Sequence, residues 1–330
     1  MENGMAKLRV GIIGAGNIAG FMAEALNGLG GEIEAYAVAS RSLEKAQAFA
    51  DKWHFKKAYG SYEELAGDEE IDLVYIATPH SEHYENAKLC LKHGRNLLVE
   101  KAFTANAGQA KEILDLAQEK GLLITEAIWT RYMPSRKIIT DILASGELGE
   151  VTRIEAEFSV PISHKERMYN PALCGGALLD LGMYTLTAAS ICFGDDIVQT
   201  ESTCEKYETG VDAADTITLT YRDGKMAKLR TSMIDGPVNR AKVTGKKAIL
   251  TWENLNNPSE VKVCAPDGTL LRNVELPEQI NGYEYEVLAC KQAIENGQTE
   301  CAEMPHEETL FIMKQMDDLR KAWGVRYPFE

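Results

Sequence analysis

The sequence predicts an α/β chain: an N-terminal doubly wound parallel sheet, then an α+β domain built on a largely antiparallel open sheet. Three observations predict it. Short apolar runs alternate with helically spaced segments as far as residue 126, β-like runs dominate beyond residue 150, and Asp223-Gly224 and Asp267-Gly268 lie between such runs as hairpin turns. A length of 330 residues suits two domains, set at 1–126 and 127–330.

The elements follow in order. Residues 8–13, 33–39, 73–77, 96–99 and 122–126 are continuous apolar runs, the pattern of strands covered on both faces. Between them, residues 18–29, 42–53, 82–93 and 107–120 have helical spacing, with a short helical turn at 61–65. Ser42 is placed to cap the second helix. After a helix around 135–145, strands are expected at 151–158, 216–221, 227–232, 240–243, 247–251 and 261–264. A helix at 177–193 interrupts them, and helices near 283–296 and 307–323 close the chain.

Composition narrows the function. Apolar residues make up 45% and charged residues 26%, enough to bury a core and unlike a disordered or fibrous chain. A net charge of −15 offers no positive field for a nucleic-acid backbone. The seven cysteines are scattered without a CxxC pair, and among the histidines only His80 and His83 are close, so no metal site is expected. The N-terminal stretch lacks the pattern of a signal peptide. The apolar 177–193 segment falls short of a bilayer span and carries Asp180, so a buried helix is expected, not a membrane partner. A cytoplasmic location is the expectation.

Gly14-Ala15-Gly16-Asn17-Ile18-Ala19 follows a strand and opens a helix, the setting of a Rossmann dinucleotide turn. Gly14 suits the tight turn and Gly16 admits a pyrophosphate, which would rest on the helix start at Asn17 and Ile18. At the end of the second strand, where NAD sites usually place an acid, stands Ala39-Ser40-Arg41-Ser42. A carboxylate would repel a 2′-phosphate, whereas Arg41 and the serine hydroxyls would hold one, so NADP(H) is favoured over NAD(H). The plainer and less favoured reading of Arg41 is a solvated charge at a helix entry. Thr78, Pro79 and His80 lie at the carboxyl end of a third strand, and Glu100-Lys101 at that of the next, where such sheets bind ligands. Lys101 would aim a cation into this crevice. Taken alone, it also fits a surface charge. Asp180 and Tyr184, four apart on an apolar helix, share a face. Such polar groups on an apolar helix need a reason, and spacing alone favours a helix-start acid and a hydrogen-bonded buried tyrosine.

Together these motifs resemble the glucose–fructose oxidoreductase, inositol dehydrogenase and rhizopine-catabolism family along the whole chain. Glu126-Ala127-Ile128-Trp129-Thr130-Arg131, the stretch from Gly176 to Tyr184, and Glu208-Thr209-Gly210-Val211-Asp212 narrow the likeness. They point to its dimeric dihydrodiol dehydrogenase and NADP-dependent D-xylose dehydrogenase branch. The resemblance implies Lys101 and Tyr184 as catalytic pair and Asp180 as a substrate-site residue. It also implies Trp129, Arg131 and Phe158 as pocket lining, and a homodimer formed through the open sheet. One position departs from the family: Ala102 stands where proline is usual after the lysine. A cis bond before alanine costs about 2.5–4 kcal/mol.

The implied reaction moves a hydride between a nicotinamide and a CH–OH or carbonyl group of a small polyhydroxy substrate, an aldose or a dihydrodiol. A phenol with a reference pKa of about 10 needs a neighbouring cation to serve as base at neutral pH, which Lys101 would supply. Two other readings remain: a reductase of a keto sugar or dicarbonyl in the same fold, and an NADP-binding sensor without turnover.

Overall fold

The computed structural model describes residues 7–330. The opening of the expected first domain, and the part of the leader reading that falls on residues 1–6, lie outside the described residues. The chain divides into two compact units. One runs through Tyr132 and takes in Gln279–Met313; the other comprises Met133–Glu278 and Lys314–Glu330.

The first unit holds a six-stranded sheet of β1 (Leu8–Ile13), β2 (Ile33–Ala39), β3 (Lys57–Tyr59), β4 (Leu73–Ile76), β5 (Asn96–Glu100) and β6 (Ile124–Ala127). Its order is β3-β2-β1-β4-β5-β6 and every pairing is parallel. Between the strands run α1 (Asn17–Leu29), α2 (Leu43–Trp53), α3 (Tyr62–Ala66), α4 (His80–Lys92) and α5 (Ala107–Lys120). Local chemistry sets their limits. Ser42 Oγ accepts the Lys45 amide at 3.3 Å to start α2, and Asn106 Oδ1 accepts that of Gln109 at 3.0 Å to start α5. Gly121, at φ +65°, ends α5. Strand order reverses between β1 and β4, and ligands of such sheets sit beyond the carboxyl ends of strands at that switch.

In the second unit, α6 (Pro134–Ala144), α7 (Glu166–Tyr169) and α8 (Met183–Phe193) accompany an eight-stranded sheet. Its strands are β7 (Val151–Ser159), β8 (Ile197–Lys206), β9 (Asp212–Tyr221), β10 (Met226–Ser232), β11 (Val238–Gly245), β12 (Ile249–Glu253), β13 (Glu260–Cys264) and β14 (Leu270–Val274). Their order is β14-β13-β12-β11-β7-β10-β9-β8; β7 and β10 run parallel and the other pairs antiparallel. Both predicted Asp-Gly turns close hairpins, β9–β10 and β13–β14. Helix α8, buried from Met183 to Ser190, packs on β7 and β10.

Three features depart from expectation. Strands β3, β8 and β14 carry too little apolar periodicity to be read, β8 being exposed at most positions. The helix expected at 177–193 is not uniform, because Leu178–Gly182 winds as a π-helix before α8 begins. There the Leu178 amide is drawn to Asp212 on the sheet, and a Cβ on Gly182 would press on Leu178 Cδ1 at 3.0 Å and Thr231 Oγ1 at 3.3 Å. Finally, the second domain is not an unbroken 127–330. At Gln279 the chain returns to the first unit, where Tyr283 stacks on Phe21 at 6.2 Å and Asn281 Nδ2 donates to Phe21 O at 2.9 Å. Helix α9 (Glu284–Glu295) belongs there, with Lys291 3.5 Å from Glu32; α10 (His306–Trp323) carries the chain back, its Trp323 indole donating to Ser202 Oγ at 2.9 Å.

Candidate active site

The turn after β1 is built for close approach. Gly14 has φ +102°, and a Cβ there would lie 2.7 Å from Ala77 O. Its backbone is also held by Ala39 O, which the Gly14 amide meets at 2.9 Å. At Gly16 the opposite holds, since an added Cβ would meet nothing within 4 Å. Helix α1 starts beyond it with no side-chain cap and no acidic residue in its first turn. Its first amides therefore point outward past exposed Gly16, Asn17 and Ile18. Ala19 is fully buried, as close helix–sheet packing requires. Open space, unfilled helix donors and a positive dipole end fit a pyrophosphate.

At the end of β2, Ser40 is buried, its amide bonded to Tyr59 O at 3.2 Å, while Arg41 is exposed. Burial raises the Tyr62 phenol and the nearby Arg41 charge opposes that shift, so the guanidinium stands by the start of α3. Ser42 Oγ accepts in the α2 cap, which leaves its hydroxyl proton able to donate.

Thr78, Pro79 and His80 form the passage from β4 into α4. Thr78 Oγ1 accepts from Asn86 Nδ2 at 3.1 Å. His83, fully buried, is a clip: Nε2 lies 2.8 Å from Thr78 O and Nδ1 2.9 Å from Ala102 O. Burial holds its pKa below the usual imidazole value. Glu100 turns inward, where the Tyr75 hydroxyl donates to Oε1 and the Lys101 amide to Oε2 at 3.2 Å. Lys101 is half-buried at the strand end and joined to Ala102 by a cis peptide. The next amide, that of Phe103, donates to Glu126 Oε1 at 3.1 Å. Burial pushes the Glu126 carboxyl up to about 8, against the opposing pull of Phe103, Thr309 and Arg131.

Trp129 is half-buried with its ring 4.7 Å from that of Tyr283. Arg131 is buried and paired with Glu308, so it also braces α10 against the turn after β6. In the second unit Asp180, 5% exposed, lies in the π-wound turn and pairs with Arg167 at 2.6 Å. Tyr184 opens α8 with its ring 5.6 Å from Phe158 on β7. The structure thus brings Tyr184 and Phe158 together, and Asp180 with a cation the sequence reading did not name. His83, Glu126 and Asp212 were quoted in the sequence without the bonding roles they hold here. Only the basic run around Arg167 hinted at a partner for a carboxylate. Among the described residues no group of three or more His, Cys, Asp or Glu gathers as a metal site.

Comparison with known proteins covers both units. A family described as "Oxidoreductase family, NAD-binding Rossmann fold" (GFO_IDH_MocA) matches residues 8–127, and the GFO/IDH/MocA C-terminal domain matches 137–251. The trans-1,2-dihydrobenzene-1,2-diol dehydrogenase of Mus musculus is 33% identical over 333 residues, covering 97% of this chain and 98% of the relative. Its Homo sapiens counterpart is 33% identical over 329 residues with the same coverage. Among solved structures, a 3-ketoreductase from Actinomadura kijaniata in complex with NADP and TDP-benzene superposes with TM-score 0.87 at 26% identity, over 96% of this chain and 98% of that one. Levoglucosan dehydrogenase in complex with NADH and L-sorbose, 15% identical, has the same fold with TM-score 0.86 over 97% of each chain.

Proposed function

The chain belongs to the Gfo/Idh/MocA family and is an NAD(P)-dependent oxidoreductase acting on CH–OH donors, and from that premise we propose that it uses NADP(H) on a small polyhydroxy substrate of the dihydrodiol or aldose class. The observation that carries the cofactor reading is the end of β2: no carboxylate, an exposed Arg41 and a capping Ser42, beside the open cradle at Gly16. The relatives named for dihydrodiol oxidation support the substrate class. A bound nicotinamide supplies or accepts the hydride.

The chain's own residues do the rest. The α1 amides and Arg41 would hold the phosphates of the cofactor. Lys101 holds the substrate oxygen as a cation, Tyr184 exchanges the hydroxyl proton, and Asp180, fixed by Arg167, accepts a substrate hydroxyl. By the family likeness Phe158 and Trp129 would each offer an apolar surface to the substrate. A second reading, reduction of a keto sugar, draws support from the NADP-bound 3-ketoreductase likeness. The same proton and hydride movements run in reverse.

Fluorescence titration with NADPH and NADH, on wild type and Arg41→Ala, tests the cofactor reading. NADPH preference that collapses in the variant supports it; equal binding, or preference for NADH, overturns it. Turnover of diols, aldoses and dicarbonyls with Tyr184→Phe as control then tests the chemistry. Loss of at least a hundredfold in kcat with cofactor binding kept is expected.

A further inference from the structure

The stretch ending in Asp212 served the sequence reading only as a family mark, and the proposed mechanism gives it nothing to do. Asp212 opens β9 and is completely buried. Its Oδ2 accepts the Leu178 amide at 2.5 Å, and the Ala177 amide also faces the carboxylate. Gly176 has φ +131°, and a Cβ there would overlap Asp212 Oδ1. So Gly176 is shaped around this one carboxylate, whereas Gly175 before it is packed against the carbonyls of Met168 and Asn170. Three residues on, Asp215 is buried as well; Thr231 stands opposite it across the β9–β10 pairing and lies against Gly182. The segment from Gly176 to Gly182, which carries Asp180 and leads directly into Tyr184, is therefore seated on β9 at its start, through Asp212, and on β10 at its end, through Thr231.

We propose that Asp212 is a positioning residue: by receiving the Leu178 and Ala177 amides it sets the π-wound start of the segment and with it the aim of Asp180 and Tyr184. The inference rests on the function proposed above only where it speaks of turnover. An anion at the start of a helical segment answers its unsatisfied amides and dipole, and an ionised carboxylate accepts such bonds more strongly than a neutral acid. The groups facing it are Arg320 on α10, Tyr327 beyond it, Asp215 on its own strand and Cys204 on β8. Arg320 is itself held by Asp317 at 2.8 Å and Glu330 at 2.9 Å, which leaves Asp212 a shared cation. Burial pushes the carboxyl up to about 6 against the downward pull of the Leu178 and Ala177 amides, so a proton taken up in mildly acid solution, with the side chain still buried, weakens those two bonds and loosens the start of the segment.

The test uses full-length protein and two variants: Asp212→Asn, which keeps the shape without the charge, and Gly176→Ala, which displaces the carboxylate. Hydrogen exchange of the peptide spanning 176–186 is followed at pH 5 and 7, alongside kcat, KM and NADPH affinity between pH 5 and 9. Expected at pH 7 is at least tenfold faster exchange of this peptide in both variants, with β9 and β10 unchanged. Wild type should approach that behaviour at pH 5, after correction for intrinsic exchange. Turnover should fall at least tenfold in kcat with KM and NADPH affinity within about threefold, and the acid limb near pH 6 should vanish in Asp212→Asn. Exchange equal to wild type at pH 7, or loosening spread evenly over β9 and β10, overturns the inference whatever the activity. An acid limb retained in Asp212→Asn overturns it too. If wild type turns over no diol, sugar or dicarbonyl, the functional reading fails while the exchange experiment still decides the role of Asp212.

Discussion

Replacing Glu126 by glutamine should change how stability responds to pH. The side chain is 1% exposed, and burial lifts its carboxyl from 4.5 to about 8. The folded chain therefore keeps a proton that the unfolded chain has released throughout that window. Its stabilising contribution is complete below 4.5 and is lost as pH rises through 8. Each unit of separation is worth about 1.4 kcal/mol, so the whole window amounts to something on the order of 5 kcal/mol. Glutamine keeps a carbonyl for the Phe103 amide, now accepted by Glu126 at 3.1 Å, and never ionises. Melting of both proteins from pH 6 to 9 by calorimetry measures the difference. Asp215 and Glu286, also raised by burial, cancel between them. The variant should gain on wild type by about 4 °C per pH unit if the first unit melts as a domain of ordinary size, levelling above pH 8. Parallel melting curves across that range would refute the reasoning.

Other perturbations separate folding from binding. Gly16→Val adds atoms where nothing lies within 4 Å, so melting should fall only by the ~1 kcal/mol of a poor cap residue, while NADPH affinity drops at least tenfold in a titration. Gly14→Ala should do the reverse first, destabilising the fold because φ +102° and Ala77 O at 2.7 Å leave no room. Arg41→Ala should weaken NADPH by about 10- to 100-fold, the ~1.5–3 kcal/mol of a charged hydrogen bond, and leave NADH unchanged. For the proposed homodimer, light scattering should give twice 36.5 kDa. A monomer in wild type removes the idea.

Much of the first unit was legible because its information is local. Continuous apolar runs mark β1 and β2 residue for residue, Ser42 caps where its hydroxyl can reach Lys45, and the helix at 107–120 ends at a glycine with positive φ. The Gly14–Ala19 turn was readable for the same reason. What escaped is non-local. Strand β8 is a polar edge whose partner supplies the pairing. Return of the chain at Gln279 depends on Phe21 and Tyr283, far apart in sequence. Asp212 lies 34 residues from the amide it receives and Glu126 lies 23 from its own, so neither spacing forms a pattern. Asp180 and Tyr184 were read from their four-residue spacing, but the change of winding between them lies over strands whose contacts, Asp212 with Leu178 and Thr231 with Gly182, are distant in sequence.

The buried carboxylates that accept backbone amides share a placement that argues about their purpose. Glu100 and Glu126 bind the amides of Lys101 and Phe103, and Asp212 binds that of Leu178, each just beside a residue proposed to act on substrate or next to it in the same turn. Burying an ionisable group seldom adds stability, and apolar residues of like volume often serve the fold better. Positions chosen for stability would lose it in the neutral amides. Positions chosen for geometry would keep or gain stability in alkaline solution and lose turnover. Glu126→Gln and Asp212→Asn therefore act as one experiment in two units. A rise in melting temperature at pH 8 together with a fall in kcat in both would mean that the chain tolerates buried charge in order to hold the reactive side chains still.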